Sequence, residues 1–469
     1  MAENRPSEGG PEDQGARRAP DGHNQDRNQS QSRPSRGIPH AHNERPTMAD
    51  MFDYLEWRGD LTFGQDPFNE VDSLVLCQLS YLSLGGIVPA AGAGRPVSVA
   101  TAAKRFALAH ADDPSKGAPG GVVSPLTPRV LELMATSERF AHATLSRYEE
   151  HLDEAAGEQF AALCIRLGDG STYVAFRGTD DTFAGWREDF SMSFSVVGSQ
   201  RRALAYLEDT RRHVRGPLRV GGHSKGGNLA VYASALAGWA TRRRIRDIWV
   251  HDGPGFVEGI VEPAALQAIE GRTHRYVPEF CVVGQFFDQP GPCEVVASAT
   301  SAVMQHSATN WQVLGNRFVR VESIDERARH FGEAFADTVR DKDATFRRRL
   351  TDALFGALAE GGTTLGELAA GAPASYLRVA RAYRDIDPDI RQAVEAIVGS
   401  LVGESVSKGL ADASASLGAA VGGLLGGIIG PRRTDVASAS EDAGTPTDDA
   451  SAGANPREEG NANATPSAE

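Results

Sequence analysis

The chain has 469 residues, 41% of them hydrophobic and 23% charged, so it can bury one large core or two. A net charge of −14 argues against a general nucleic-acid surface, which needs clustered positive charge to engage phosphates. Cys77, Cys164, Cys281 and Cys293 stand far apart with no C-x-x-C pair, which excludes a zinc site or disulfide framework by pattern and fits a reducing compartment.

Residues 1–47 are rich in Gly, Pro, Asn, Gln, Arg, Asp and Ser and nearly free of large apolar side chains. Such a segment buries too little surface to offset its ordering entropy, so a disordered N-terminal tail is expected. It contains no apolar h-region, and no run of about 18 apolar residues occurs anywhere. The expected location is cytoplasmic.

From Met48 onward the pattern changes. Met51 to Asp60 mixes aromatics with charges and reads as a short amphipathic helix, and Leu74 to Leu82 as a buried one. A Gly/Pro/Ala-rich loop runs to about Arg95, with an exposed helix after it. Pro125 to Leu152 carries helical spacing in Val130, Leu131, Leu133, Met134, Phe140, Leu145 and Tyr148, which predicts helix throughout. Phe160–Leu167 and Thr172–Phe176 flank Gly168-Asp169-Gly170-Ser171 and predict a hairpin. The second strand runs into Arg177-Gly178-Thr179-Asp180-Asp181, where Thr179 could offer its N–H and hydroxyl to an oxyanion. The same residues also suit a plain hairpin exit with an aspartate cap. Gly185-Trp186-Arg187-Glu188-Asp189-Phe190 reads as a loop able to support or cover a pocket, and a helix over Gln200 to Val214 follows.

Leu218 to Ser234 then holds a short apolar run, glycines around one serine, and an Ala-rich stretch: a strand, a sharp turn and a helix. Gly222-x-Ser224-x-Gly226 matches the nucleophile-elbow spacing. The glycines are needed because side chains two residues either side of the strained serine would collide with the turn. The turn also sets Ser224 at a helix N-terminus, whose free N–H groups favour developing negative charge. A serine that merely caps the helix is the alternative.

Strands are predicted at Ile248–His251, Thr273–Val277 and Cys293–Ala297, and helices over 324–358 and 365–410. Strands alternating with helices imply an α/β fold: a mostly parallel sheet with helices on both faces and ligands beyond the C-terminal strand ends. The Gly-rich apolar run 417–430 is short for a bilayer span and suits a small-residue packing surface, with membrane contact possible but disfavoured. The organisation expected is a tail over 1–47, an α/β domain over 48–360, a helical, Gly/Ala-rich extension over 361–430 and a disordered acidic tail over 431–469.

A serine nucleophile needs a base and an acid that orients the base, in the chain order Ser, acid, His for a strand–turn–helix site. Among His251, His274, His306 and His330, His306 follows the last strand across a loop and is the candidate base. Asp252 ends the strand after the elbow helix and precedes Gly-Pro-Gly; it is favoured over Glu279, which ends the next strand. An Asx-type turn is the other role open to Asp252.

Several blocks in order carry a resemblance. They are Asp53-Tyr54 to Asp60, Phe176-Arg177-Gly178-Thr179-Asp180, Gly185 to Phe190, Gly222-His223-Ser224-Lys225-Gly226-Gly227-Asn228-Leu229-Ala230, Asp252-Gly253-Pro254-Gly255-Phe256, and Gln305-His306 to Trp311. With these, residues 48–358 resemble an uncharacterised bacterial α/β-hydrolase-like family akin to the class 3 lipases. The resemblance implies an α/β-hydrolase fold, Ser224 as nucleophile, Thr179 as an oxyanion donor and His306 as base. Class 3 lipases carry an aspartate after the strand matching Thr273–Val277; this chain reads Pro278-Glu279-Phe280-Cys281 there. A lysine also follows the serine where many lipases have an apolar residue. The Lys225 N–H can still serve the oxyanion hole, while its side chain either draws an anionic substrate or pairs with an acidic neighbour.

The expected activity is a serine hydrolase cleaving a carboxylic ester or thioester, its substrate a small molecule or a lipid ester, with no cofactor and no metal. The other class open to the sequence is a hydrolase-like binding or regulatory protein with little or no activity, favoured by the long polar ends and the missing lipase aspartate.

Overall fold

A computed structural model of the chain describes residues 49–112, 117–118, 126–153, 158–179, 183–287, 289–362 and 373–402. Eight strands form one sheet in chain order: β1 (Val97–Ser98), β2 (Thr144–Asp153), β3 (Glu158–Arg166), β4 (Thr172–Phe176), β5 (Leu218–His223), β6 (Ile245–His251), β7 (Thr273–Pro278) and β8 (Cys293–Val296). Strands β1 to β4 pair antiparallel and β4 to β8 pair in parallel. This is the α/β character expected from the alternation of strands and helices.

The central strands β4 and β5 are buried on both faces, which is why they lack polar alternation. One face packs on α1 (Met51–Arg58), α2 (Glu70–Gln78), α3 (Val99–Ala109) and α4 (Thr127–Thr136) through Leu163, Ile165, Tyr173, Ala175 and Trp249. The other packs on α6 (Gly198–His213), α7 (Lys225–Leu236) and α9 (Pro263–Glu270) through Ala162, Cys164, Val174, Val220, Ile248 and Val250. A buried ion pair between Arg139 and Asp72, 2.5 Å apart, ties the first layer together, with Tyr54 donating to the same carboxylate at 2.7 Å.

A third apolar cluster joins α5 (Phe183–Met192) to four helices, α10 (Glu326–Val339), α11 (Ala344–Ala359), α12 (Pro373–Arg384) and α13 (Pro388–Val402). Phe190 stacks edge-on against Phe286, Phe335 and Phe355. Val379, Ile390, Val394 and Ile397, beyond residue 360, are buried in this same cluster. Further elements are the short helix α8 (Trp239–Arg242), a hairpin of β9 (Val313–Leu314) and β10 (Arg317–Phe318), and 3-10 turns at Leu79–Tyr81, Val283–Gln285, Ala302–His306 and Ala308–Asn310.

Two sequence expectations differ from the structure. Helix was expected through Leu152, but α4 ends at Thr136 and residues 144–153 form β2. Pairing with β3 overrides the helical spacing, and a bulge between Ser146 and Glu149, with Arg147 at φ 57°, buries adjacent residues and disguises the strand period. Gly185 to Phe190, expected as a loop, lies within α5. The predicted segments 1–47, 417–430 and 431–469 lie outside the described residues, as do Asp180, Asp181 and Asp288. Among the described residues no helix is long and apolar enough to cross a membrane.

Candidate active site

Five consecutive parallel strands end on one edge of the sheet, and each releases at least one of the residues singled out above. Thr179 follows β4, Ser224 and Lys225 follow β5, Asp252 follows β6, Glu279 follows β7 and His306 follows β8. In open α/β sheets this is the edge where ligands bind.

Ser224 occupies the turn between β5 and α7 with φ 57° and ψ −131°, a conformation strained for any residue with a side chain. The turn closes because two glycines let backbones meet. A Cβ on Gly222 would strike the Gly226 backbone, and one on Gly226 would strike the Phe176 carbonyl of β4. The Ser224 N–H donates to the His251 carbonyl at 2.9 Å, fixing the turn to β6. Lys225 is the first residue of α7, so its N–H is one that a helix leaves without an intrahelical partner.

Asp252 is fully buried, also at positive φ (50°), and its carboxylate is divided between two tasks. Oδ2 accepts from His306 Nδ1 at 2.5 Å. Oδ1 accepts the Gly284 N–H and the Cys281 thiol, each at 3.0 Å. Burial and the adjacent Asp252 charge hold the Cys281 thiol protonated, well above its ordinary pKa, so it acts as a donor. Glu279 is exposed, and its N–H and carbonyl join neighbouring backbone. Of the two candidate acids, Asp252 is the one that meets His306.

The His306 segment is fastened on several sides. Gln305 accepts the Phe280 N–H at 2.6 Å and donates to the Thr300 carbonyl, while buried Trp311 donates to the Gln305 carbonyl at 2.8 Å. Trp186 of α5 lies beside the imidazole, ring centroids 6.5 Å apart. No hydrogen bond joins Ser224 Oγ to His306 among the described residues.

Thr179 differs from the expectation in one respect. Its hydroxyl donates to Asp189 Oδ1 at 2.5 Å, so only its backbone N–H is left for a ligand. Lys225 Nζ is fully buried, 2.5 Å from Glu188 Oε2 and 3.9 Å from Asp189 Oδ1. Of the two roles open to this side chain, the structure displays pairing with acidic neighbours; the ammonium does not face a ligand. Glu188 and Asp189, neither of which the sequence reading assigned to the site, therefore lie just behind it on α5. Their signal was the Gly185–Phe190 block, whose charges look like solvent-facing groups until the helix is seen to be buried.

Burial raises the Asp189 carboxyl to about 7, against the opposing pull of Lys225 and the Thr179 hydroxyl. The native state thus binds this proton more tightly than the unfolded chain, and stability falls as pH rises from about 4 to 7. Asp189→Asn is expected to flatten that fall. Urea unfolding of wild type and variant at pH 5 and pH 8 measures it, and an unchanged pH difference would contradict the assignment.

Among the described residues no group of three or more His, Cys, Asp or Glu side chains is arranged to hold a metal ion. No curated protein and no solved structure matches the chain. Residues 134–356, which include Thr179, Ser224, Lys225, Asp252 and His306, match the Mbeg1-like family model.

Proposed function

We propose that the protein is a serine hydrolase of the α/β-hydrolase type, related to the class 3 lipases, which cleaves a carboxylic ester or thioester through an acyl-enzyme. The observation that carries this reading is the buried His306–Asp252 hydrogen bond beside a strained serine at a strand-to-helix turn. Ser224 Oγ attacks the carbonyl carbon while His306 Nε2 takes its proton. Asp252 holds Nδ1–H and stabilises the imidazolium. The N–H groups of Lys225 and Thr179 receive the oxyanion. Collapse of the tetrahedral intermediate expels the alkoxide or thiolate, which takes the proton from His306. Water, deprotonated by His306, then releases the acid and restores Ser224.

The second reading is a hydrolase-like binding protein without turnover, favoured by the missing Ser224–His306 hydrogen bond. That bond often tightens only once substrate is present. A fluorophosphonate probe on the purified full chain separates the two. Labelling of wild type that is lost in Ser224→Ala supports the hydrolase. Unlabelled wild type, or equal labelling of the variant, removes it.

A further inference from the structure

His223 immediately precedes Ser224, is buried, and makes two hydrogen bonds that fix its protonation. Its Nε2 lies 2.7 Å from the backbone carbonyl oxygen of His306, and a carbonyl only accepts, so Nε2 bears the hydrogen. Its Nδ1 lies 2.9 Å from the Tyr81 hydroxyl, which donates to the remaining lone pair. Tyr81 comes from the 3-10 turn Leu79–Tyr81 that follows α2. The same hydroxyl fills the space where Gly178, beside Thr179, would carry a Cβ.

Three segments of the proposed machinery meet here: the Thr179 loop at Tyr81, the elbow through His223 itself, and the His306 segment through its carbonyl. The two imidazoles lie face to face obliquely, centroids 4.7 Å apart. A second cation at that distance would oppose formation of the His306 imidazolium. Burial, followed by the nearby His306, lowers the His223 pKa to about 3, so the ring stays neutral.

We propose that Tyr81 and His223 are positioning residues: the His306 carbonyl selects the Nε2–H form of His223, Tyr81 anchors the ring at Nδ1, and His223 sets the distance between Ser224 and His306 through the His306 carbonyl. Neither touches substrate. The catalytic consequence rests on the serine-hydrolase reading, whereas the geometry does not.

Glutamine places an amide N–H near where imidazole carries Nε2, and asparagine reaches only the Nδ1 position. His223→Gln therefore keeps the bond to the His306 carbonyl, and His223→Asn loses it. In proton and nitrogen NMR of the full chain, wild-type His223 is expected as the Nε2–H tautomer from pH 5 to 9. The low-field proton shared by His306 and Asp252 should persist in His223→Gln and be lost or exchange rapidly in His223→Asn. Tyr81→Phe should keep the Nε2–H tautomer, which the His306 carbonyl still selects, while removing the ring's second hydrogen bond and so loosening its position. In fluorophosphonate labelling, His223→Asn should react on the order of 10²-fold more slowly than wild type, the scale of a misplaced catalytic group, with His223→Gln recovering most of the loss.

An Nδ1–H tautomer in wild type, or the same low-field proton in the Asn and Gln variants, would overturn the proposal, and the wild-type tautomer decides even if the Asn variant does not fold. If wild type is unreactive to the probe while the proton is lost only in His223→Asn, positioning stands and the hydrolase reading falls.

Discussion

Asp252→Asn is expected to lower kcat by about 10⁴-fold with little change in KM, the scale seen when a triad acid loses its charge but keeps its shape. The structure gives a specific reason for so large an effect. Two donors, the Cys281 thiol and the Gly284 N–H, already face Oδ1. An asparagine must therefore keep its carbonyl oxygen toward them and turn its NH₂ toward His306. The imidazole Nδ1 then has to accept, its proton moves to Nε2, and the atom that should deprotonate Ser224 becomes a donor. Glu279→Gln, an exposed change with no side chain in the site, should leave kcat within about twofold, as surface substitutions generally do. Steady-state kinetics on an ester that wild type turns over makes the comparison. Equal losses in both variants would mean that neither carboxylate orients His306.

Lys225→Met is expected to destabilise the protein by about 3–5 kcal/mol, the cost of breaking a buried ion pair from one side. The ammonium is fully buried and is the partner of Glu188, whose Oε1 already has no hydrogen bond among the described residues. Removing the cation leaves Glu188 with the Gln159 N–H and Asp189 with the Thr179 hydroxyl, but neither with a countercharge. Methionine fills a similar volume, so loss of packing contributes little. Adding Glu188→Gln to Lys225→Met should recover about 1 kcal/mol or more, because residues in one network couple rather than add. Urea unfolding of the two single variants and the double variant tests this. Strict additivity would show that the pair is not coupled.

Lys225→Met removes the side-chain role of Lys225 and leaves its backbone role in place. Its N–H belongs to the α7 terminus whatever the side chain, whereas its ammonium belongs to α5. The cluster of Lys225, Glu188, Asp189 and Thr179 thereby links the elbow, the β4 exit and the helix that carries Phe190 into the C-terminal helices.

The elbow was legible in the sequence because it is local: the strand, the glycines two residues either side of Ser224 and the Ala-rich helix all lie within 218–236, and steric demands at a tight turn leave few residue choices. The same holds for the hairpin of β3 and β4, set by its Gly-Asp-Gly-Ser turn. Strand β2 was hidden, because a bulge and long-range pairing with β3 decided its conformation against its own helical spacing. The choice between Asp252 and Glu279 also needed three dimensions. Both end parallel strands, and only the path of the 297–311 segment determines which carboxylate His306 reaches. Tyr81 lies 142 residues from His223, and nothing near either residue announces their bond. The sequence by itself thus determined the α/β alternation and the serine turn, where local sterics act. Tertiary structure alone decided the acid partner of His306, the burial of Lys225 against α5 and the neutral tautomer of His223, since each depends on groups that meet only when the sheet is assembled.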